Sequence, residues 1–359
     1  NINWMTARER QFVSPLLGED VRKIVPVSTP GQSDTATLDN ALELLLATGR
    51  SLEHSMMMLI PEAWGDHIPM DQARRDFYEY HSSMMEPWDG PALVIGTDGS
   101  KVCAVLDRNG LRPCRYLVTT DDLLVMASET GVLDVPPEKV LYKERIYPGR
   151  MFMIDTIRGE IVQDAELKAE LAGRRPYGRW IKGNMVGLDS LPKPRRVHGP
   201  DPATLLRRQV AFGYSLEDLR MILEPMAVNG TEPIGSMGND APLAVLSENS
   251  PLLFSYFKQL FAQVSNPPLD AMREELVTST RAMIGSERNL FDETPEHCRQ
   301  LMLEEPIITD EQLEQIRRSN TAGIRSTTLS VLFDPRRVGS LEEAVSRVCE
   351  EAARAAEEG

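Results

Sequence analysis

The sequence has no long hydrophobic segment, no clustered cysteines and no excess of positive charge. None of its apolar runs approaches the ~18 residues that a membrane-spanning helix needs, so no membrane partner is expected. Its 39 Lys and Arg residues are outweighed by 54 Asp and Glu residues, which gives a net charge of -15. This argues against a nucleic-acid partner, because such binding depends on neutralising phosphates. The cysteines form no CxxC pair, so no zinc or iron–sulfur site is predicted. Reduced thiols in a cytoplasmic protein are expected instead; the cysteines are Cys103, Cys114, Cys298 and Cys349.

The motifs of the common catalytic chemistries are also missing. No serine lies in a GxSxG turn and no cysteine lies in a recognisable Cys–His motif, so no catalytic residue is assigned in this chain. The histidines show no HExxH or HxxxH spacing, and no metal site is predicted; they are His54, His67, His81, His198 and His297. The GSMGND stretch at 235–240 lacks the lysine of a Walker loop, so it is interpreted as a tight loop, and no cofactor-binding residue is assigned.

What the sequence does contain indicates a globular α+β protein. Its 359 residues are 42% hydrophobic, enough for about two domains of ~100–200 residues each. Residues 36–49 and 71–83 have the apolar spacing of helices, and 92–163 consists of short apolar runs separated by turn residues. We expect these runs to form an antiparallel meander. Four more helices are predicted after it, at 215–227, 251–264, 268–283 and 310–319.

The stretch DRNGLRPCRY at 107–116 is predicted to form a β-hairpin. Asn109-Gly110 favours a tight turn with positive φ, and an apolar run lies on each side. Such a hairpin needs neither Asp107 nor the two arginines beside it, so we expect Asp107 and Arg112 to fix the turn against neighbouring loops.

The last third of the chain combines a basic connection with the start of an α/β layer. Residues 173–202 are rich in Arg, Lys, Pro and Gly, which is typical of a solvated link between domains. TTLSVLF at 327–333 is predicted to be a strand, and 340–358 an amphipathic helix with Ser340 and Glu343 as its capping box. A strand and helix without a partner strand are half of a βαβ unit, and the chain starts without Met. We therefore expect both ends to be cut.

Asp34, in the stretch GQSDTATLDN, has two interpretations. It lies at a predicted helix start, where a carboxylate can satisfy the free backbone amides. It can also hold the ammonium group of a ligand. Residue type alone favours the first interpretation.

Several longer stretches resemble glutamate synthases. SDTATLDNALELLLATGRSLEHSMMMLIPEAW, EPWDGPA and DRNGLRPCRY resemble their class II glutamine amidotransferase (glutaminase) domain, of the N-terminal-nucleophile type. PIGSMGNDAPLAVLSENSPLLFSYFKQLFAQVSNPPLDAMREELV and NLFDETPEHCRQLMLEEPI resemble the central domain of the same enzymes. The resemblance implies a layered α/β/β/α glutaminase part at 1–182, a linker at 183–202, and a mostly helical and α/β central domain, cut short, at 203–359.

The resemblance also implies a function and places it largely outside this chain. Such enzymes make two L-glutamate from L-glutamine and 2-oxoglutarate, by glutamine hydrolysis, ammonia channelling and reductive amination. The electrons come either from NAD(P)H through a small subunit or from ferredoxin, and they pass through FMN and an iron–sulfur cluster. The family's cysteine nucleophile and oxyanion-hole Asn-Gly pair lie upstream of Asn1, and its FMN and cluster regions lie downstream of Gly359. The match leaves Asp34 as the residue that binds the α-ammonium group of glutamine.

Two hypotheses follow from this pattern. In the first, the chain is an internal fragment of a glutamate synthase large subunit and is inactive alone. In the second, it is a nucleophile-free pseudo-amidotransferase that acts as a glutamine-binding or assembly module. The coding sequence on either side would distinguish them.

Overall fold

The computed structural model describes residues 4–357, except 66–67, 89, 196, 198, 200, 234–245, 247, 249–279 and 322–323. It groups the chain into two compact units, Asn1–Pro194 with Leu269–Gly359, and Arg195–Pro268. The GSMGND loop, the predicted helix at 251–264 and most of that at 268–283 lie outside the described residues, as do His67, Asp89 and His198. The predicted domain boundaries at 182 and 203 stay a prediction.

The helices of the described residues confirm much of the apolar spacing in the sequence. They are α1 Trp4–Arg8, α2 Asp34–Ala47, α3 Leu52–Leu59, α4 Gln72–Ser82, α5 Asp164–Gly173, α6 Tyr177–Asn184, α7 Leu205–Ala211, α8 Glu224–Asn229, α9 Asp310–Arg317 and α10 Ser340–Glu357. In α2, Leu38 and Leu45 are buried, as the predicted helix over 36–49 requires. In the second unit a π-helix, Asp218–Leu223, runs directly into α8, which ends at Gly230 in the left-handed conformation.

The strands form separate small sheets. They are β1 Leu93–Thr97, β2 Lys101–Leu106, β3 Arg115–Thr119, β4 Leu124–Ala127, β5 Val140–Arg145, β6 Met151–Asp155, β7 Glu160–Val162, β8 Val186–Gly187, β9 Ala282–Gly285, β10 Gln300–Leu303, β11 Asn320–Thr321 and β12 Ile324–Arg325. The strand orders are β1-β2-β6-β7, β4-β3-β5, β8-β10-β9 and β11-β12. The mixture of helices and mainly antiparallel sheets confirms the α+β class.

The predicted hairpin at 107–116 is wrong, and so is the single meander. β2 pairs with β1 and β6, whereas β3 pairs with β4 and β5. The DRNGLRPC stretch therefore carries the chain from one sheet to another. Both edges of β2 are already occupied, so β3 has no free hydrogen-bonding edge to pair with.

The main core lies between the four-stranded sheet and helices α2 to α6. Its buried residues include the Met runs at 56–58 and 84–85. The close contact is visible at Gly96 of β1, where a Cβ atom would lie 2.8 Å from the Met56 Cε atom of α3. Burying one such side chain fully contributes about 1.5–3 kcal/mol, so this helix–sheet contact is a main source of stability.

Three further predictions need correction. Residues 327–333 contain no strand. α10 begins at Ser340, but its hydroxyl donates to the Asp334 carbonyl and Glu343 pairs with Arg337, so the predicted capping box is absent. The basic stretch at 173–202 is not wholly a solvated link, because Tyr177 of α6 is 1% exposed and belongs to the main core.

Candidate functional site

Asp34 occupies the first position of α2 without acting as its cap. The N-cap is Ser33, whose side chain accepts a hydrogen bond from the Ala36 amide at 3.2 Å. The Asp34 side chain is exposed to solvent. Since Ser33 performs the capping role, the carboxylate of Asp34 lies at the positive end of the helix, on an exposed residue.

The loop that leads into α2 is fixed by polar contacts. The Glu9 carboxylate accepts a hydrogen bond from the Val27 amide at 2.7 Å, and the Asn40 amide group donates to the Val27 carbonyl at 2.8 Å. Gln32 donates to the Thr37 hydroxyl at 2.8 Å. Because the loop is held from both α2 and the preceding segment, the first turn of the helix has a defined position.

A second candidate element is the turn at 107–110. Asp107, which is 2% exposed, accepts hydrogen bonds from the Asn109 and Gly110 amides at 2.9 and 3.2 Å. Its other carboxylate oxygen accepts from the Ala92 amide at 3.0 Å, and its carbonyl accepts from the Gly149 amide at 3.0 Å. The expectation that Asp107 fixes the turn is confirmed, while Arg112 is exposed.

A buried lysine supports the neighbouring turn at 147–150. Lys168 of α5 is 1% exposed and donates to the Gly149 carbonyl at 2.7 Å. Its ammonium group also lies 3.2 Å from the Glu62 carboxylate and 3.0 Å from that of Asp164. Burial opposes ionisation of Asp164, but the positive charge of Lys168 together with hydrogen bonds from the Met151 amide and Arg150 outweighs it, so the pKa of that carboxyl group is lowered. Lys168 therefore serves as the buried cation of a structural network.

The third cluster surrounds the carboxylate of Glu293. Its Oε1 atom lies 3.3 Å from Arg50 Nη1, 3.2 Å from His54 Nε2 and 3.4 Å from His81 Nε2. It also accepts a hydrogen bond from the Tyr177 hydroxyl at 2.9 Å. The two imidazole Nε2 atoms are 2.9 Å apart, within hydrogen-bonding distance of each other.

Burial keeps the two histidines of this cluster neutral. It lowers the pKa of His54 well below the ordinary histidine value, and the neighbouring His81 and Arg50 lower it further. It also lowers the pKa of His81. For Glu293 burial acts in the opposite direction, but the hydrogen bond with His81 and the interactions with His54 and Arg50 together outweigh it, so the carboxyl pKa lies below its usual range.

His54, His81 and Glu293 are the described residues that come nearest to a metal-ligand arrangement. Their ligand atoms are 2.9–3.4 Å apart, close to the ~3.3 Å edge of a tetrahedral zinc site with ~2.0 Å bonds. However, the Arg50 guanidinium lies 3.3 Å from both His54 Nε2 and Glu293 Oε1. A cation would face this positive charge, so we interpret the cluster as a hydrogen-bonded network.

The cysteines do not assemble into a cluster-binding set. All four are free thiols, with Cys103, Cys114 and Cys298 buried and Cys349 exposed. Burial raises the pKa of Cys103 to about 12 and that of Cys298 to about 12. Among the described residues, no helix is both long and apolar enough to cross a bilayer.

Sequence reasoning missed the Glu293 and Lys168 networks entirely. Tyr177 lies 116 positions from Glu293, and Arg50, His54 and His81 lie more than 200 positions from it. A buried lysine has the same sequence signature as an exposed one. The only local signal was the imidazole side chain of His54 next to the apolar Met run of α3.

Two family models match the chain. The model described as "Glutamine amidotransferases class-II" matches residues 1–180, and that described as "Glutamate synthase central domain" matches residues 207–359. The first match covers the segments that carry Asp34, the 107–110 turn and Lys168. The second includes Glu293.

Curated relatives match over nearly the whole chain. The large chain of NADPH glutamate synthase from Bacillus subtilis is 48% identical over 333 residues, 93% of this chain and 22% of the relative. Ferredoxin-dependent glutamate synthase 2 of Arabidopsis thaliana is 42% identical, with 100% of this chain and 22% of the relative covered. NADH glutamate synthase of Schizosaccharomyces pombe is 40% identical, with 100% and 18% covered.

This chain thus spans only about a fifth of the length of these curated relatives. The order of the two matched models agrees with the order of the resembling stretches in the sequence. Since the first model covers half of the chain, the protein belongs to the class-II glutamine amidotransferase family, and its sequence continues into a glutamate synthase central domain.

Proposed function

We propose that this chain is part of a glutamate synthase large chain and contributes the ammonium-binding carboxylate of its glutamine site. The observation that carries the assignment of the site is the position of Asp34 at the start of α2. Ser33 caps the helix and polar contacts fix the preceding loop. The exposed Asp34 carboxylate can therefore accept hydrogen bonds from the α-ammonium group of glutamine.

The wider reaction is proposed on the family relationship. The complete protein would hydrolyse glutamine, channel the ammonia and reductively aminate 2-oxoglutarate, yielding two L-glutamate. Nucleophilic attack on the amide and stabilisation of the oxyanion would use family residues other than those described here. FMN and an iron–sulfur cluster would be held by other parts of the protein, and this chain alone would be inactive.

The electron donor remains open between two classes. The relatives' names include NADPH, NADH and ferredoxin, which correspond to a nicotinamide-oxidising small subunit or to ferredoxin as partner. We also propose a cytoplasmic protein, which the four free thiols support; some relatives are named chloroplastic.

The experiment compares Asp34→Asn with Asp39→Asn in a longer protein that includes the catalytic cysteine. Both residues lie in α2 and are exposed, so Asp39→Asn is a matched control. A charge-assisted hydrogen bond is worth roughly 1.5–3 kcal/mol, so we expect Asp34→Asn to raise the KM for glutamine about ten- to hundredfold. Asp39→Asn should leave the KM unchanged.

An unchanged KM together with an early thermal transition in Asp34→Asn would assign the residue to the helix end alone. A separate assay tests the inactivity of this chain. Glutamine is supplied to the 359-residue protein and ammonia release is measured. Sustained turnover would disprove the absence of a nucleophile, whereas glutamine binding without turnover is consistent with the proposal.

A further inference from the structure

Residues 287–300, which we name the clasp segment, belong by sequence to the region matched by the central-domain model. Their contacts, however, are with the amidotransferase match. Asn289 donates to the Val13 carbonyl at 2.8 Å and accepts from the Val13 amide at 3.3 Å. Gln300 donates to the Ser83 carbonyl at 2.8 Å. Both ends of the segment are therefore hydrogen-bonded to the backbone of the first 180 residues.

The middle of the clasp segment is held through Glu293. All four side chains that contact its Oε1 atom belong to the amidotransferase match, at 2.9–3.4 Å. They come from the α2–α3 connection and from α3, α4 and α6; they are Arg50, His54, His81 and Tyr177. The carboxylate thus joins α3, α4 and α6 at one point.

Arg50 contacts the clasp segment at a second point besides Glu293. Its Nη2 atom donates to the Leu290 carbonyl at 3.0 Å, while its Nη1 atom faces Glu293. The Arg50 amide donates to the Leu45 carbonyl at 3.0 Å, which fixes the residue at the end of α2. Since the Arg50 side chain is 6% exposed, its charge depends on Glu293 for neutralisation.

We infer that the surface formed by α3, α4 and α6 of the amidotransferase region is a docking surface for the clasp segment. Through Glu293, this surface and the clasp segment open and close as one cooperative unit. A change in the central-domain region that withdraws Glu293 would leave Arg50 buried without its counter-charge. Breaking such a pair from one side is far more costly than losing an exposed pair. The inference is independent of the proposed glutamine site.

Hydrogen exchange of the 359-residue chain, read by mass spectrometry, tests this unit. Glu293→Gln removes the charge and retains the shape. Glu296→Gln is the control, because Glu296 lies on the same segment and its contacts are within that segment, with Thr294 and with Arg299 at 3.7 Å. We expect Glu293→Gln to raise the opening equilibrium of peptides from 287–300 and from 50–58 together, by about ten- to hundredfold. Glu296→Gln should change neither.

Opening of 287–300 alone, with 50–58 still protected, would overturn the inference. If Glu293→Gln does not fold, the wild-type chain answers the same question in low concentrations of urea. There the two peptides should exchange with the same dependence on urea, and distinct dependences would again overturn the cooperative unit.

Discussion

Acid should destabilise the first compact unit through His54 and His81 before its buried carboxylates titrate. Both imidazoles have a pKa lowered in the folded protein, chiefly by burial, whereas each would titrate near ~6.5 in the unfolded chain. Below that pH the unfolded state binds protons that the folded state does not. The stability contribution is therefore fully present above ~6.5 and is lost as the pH falls.

The size of the loss follows from proton linkage. At pH 5.5 an unfolded histidine with a pKa of ~6.5 gains about 1.4 kcal/mol from protonation, whereas a folded histidine that stays neutral gains nothing. About 1.4 kcal/mol per histidine is therefore the upper limit of the contribution, reached by a ring that stays fully neutral in the folded protein. This is a large part of a typical stability of ~5–15 kcal/mol. The charged or titratable groups that face the pair are Arg50, Arg174, Glu293, Tyr80 and Tyr177.

Urea unfolding at pH 7.5 and 5.5, followed by tryptophan fluorescence, measures the loss. Trp180 is a suitable reporter because its ring lies 5.4 Å from that of Tyr80 and 5.7 Å from that of Tyr177, beside the histidines. The His54→Gln/His81→Gln double variant is the control, since it lacks both imidazoles and its stability should fall less between pH 7.5 and 5.5 than that of the wild type. Equal pH dependence in wild type and double variant would refute the reasoning. The depressed pKa of Glu293 adds a further loss only below ~4.5, outside this window.

Two other substitutions test the buried network around the 147–150 turn. Lys168→Met leaves two carboxylates without their buried cation and should lower the free energy of unfolding by about 3–5 kcal/mol. Lys139→Met is the control, because it removes only an exposed ion pair with Asp121 at 3.4 Å and should lower that free energy by less than about 1 kcal/mol. Urea unfolding of both variants measures the difference. Gly149 and Gly159 have similar φ values of 64° and 67°, but a Cβ atom would lie 2.7 Å from Glu62 Cβ only at Gly149. Gly149→Ala should therefore lower the melting temperature well beyond the effect of Gly159→Ala, which reports the roughly 1–2 kcal/mol of left-handed backbone strain alone, and equal shifts would contradict the crowding.

The elements that the sequence predicted correctly are those set by local pattern. The spacing of Leu38, Leu42 and Leu45 predicts α2, and all three are buried. The helix over 340–358 was found for the same reason, although its cap was not. Ser340 has the right residue type for a cap, but its hydroxyl donates to the Asp334 carbonyl instead. Such a choice between two nearby hydrogen-bond partners is not encoded by spacing.

Strand pairing could not be predicted from local pattern, because it depends on which strands compete for the same sheet edge. Asn109-Gly110 has a strong hairpin signature, yet Asn109 does not adopt positive φ and only Gly110 does, at 62°. Pairing of β2 with both β1 and β6 excludes the hairpin. The first strand of the predicted meander shows the opposite case, because β1 and β2 are joined by the Asp98-Gly99 turn and pair as expected.

The candidate site divides in the same way. Asp34 could be named from sequence because the resembling stretch around it is continuous. Glu293 could not, since its importance comes from four partners on distant elements. The role of Asp34 as a ligand group stays a prediction.

The position of Asp107 has a practical consequence for anyone who alters this protein. A hairpin loop tolerates inserted residues, because its length can change while the strands stay paired. The 107–110 turn is hydrogen-bonded to the backbone at both Ala92 and Gly149. An insertion there would therefore shift two sheets and a distant loop against each other. A label or tag is better placed at the exposed Asp98-Gly99 turn, where a Cβ atom on the glycine would meet nothing within 4 Å.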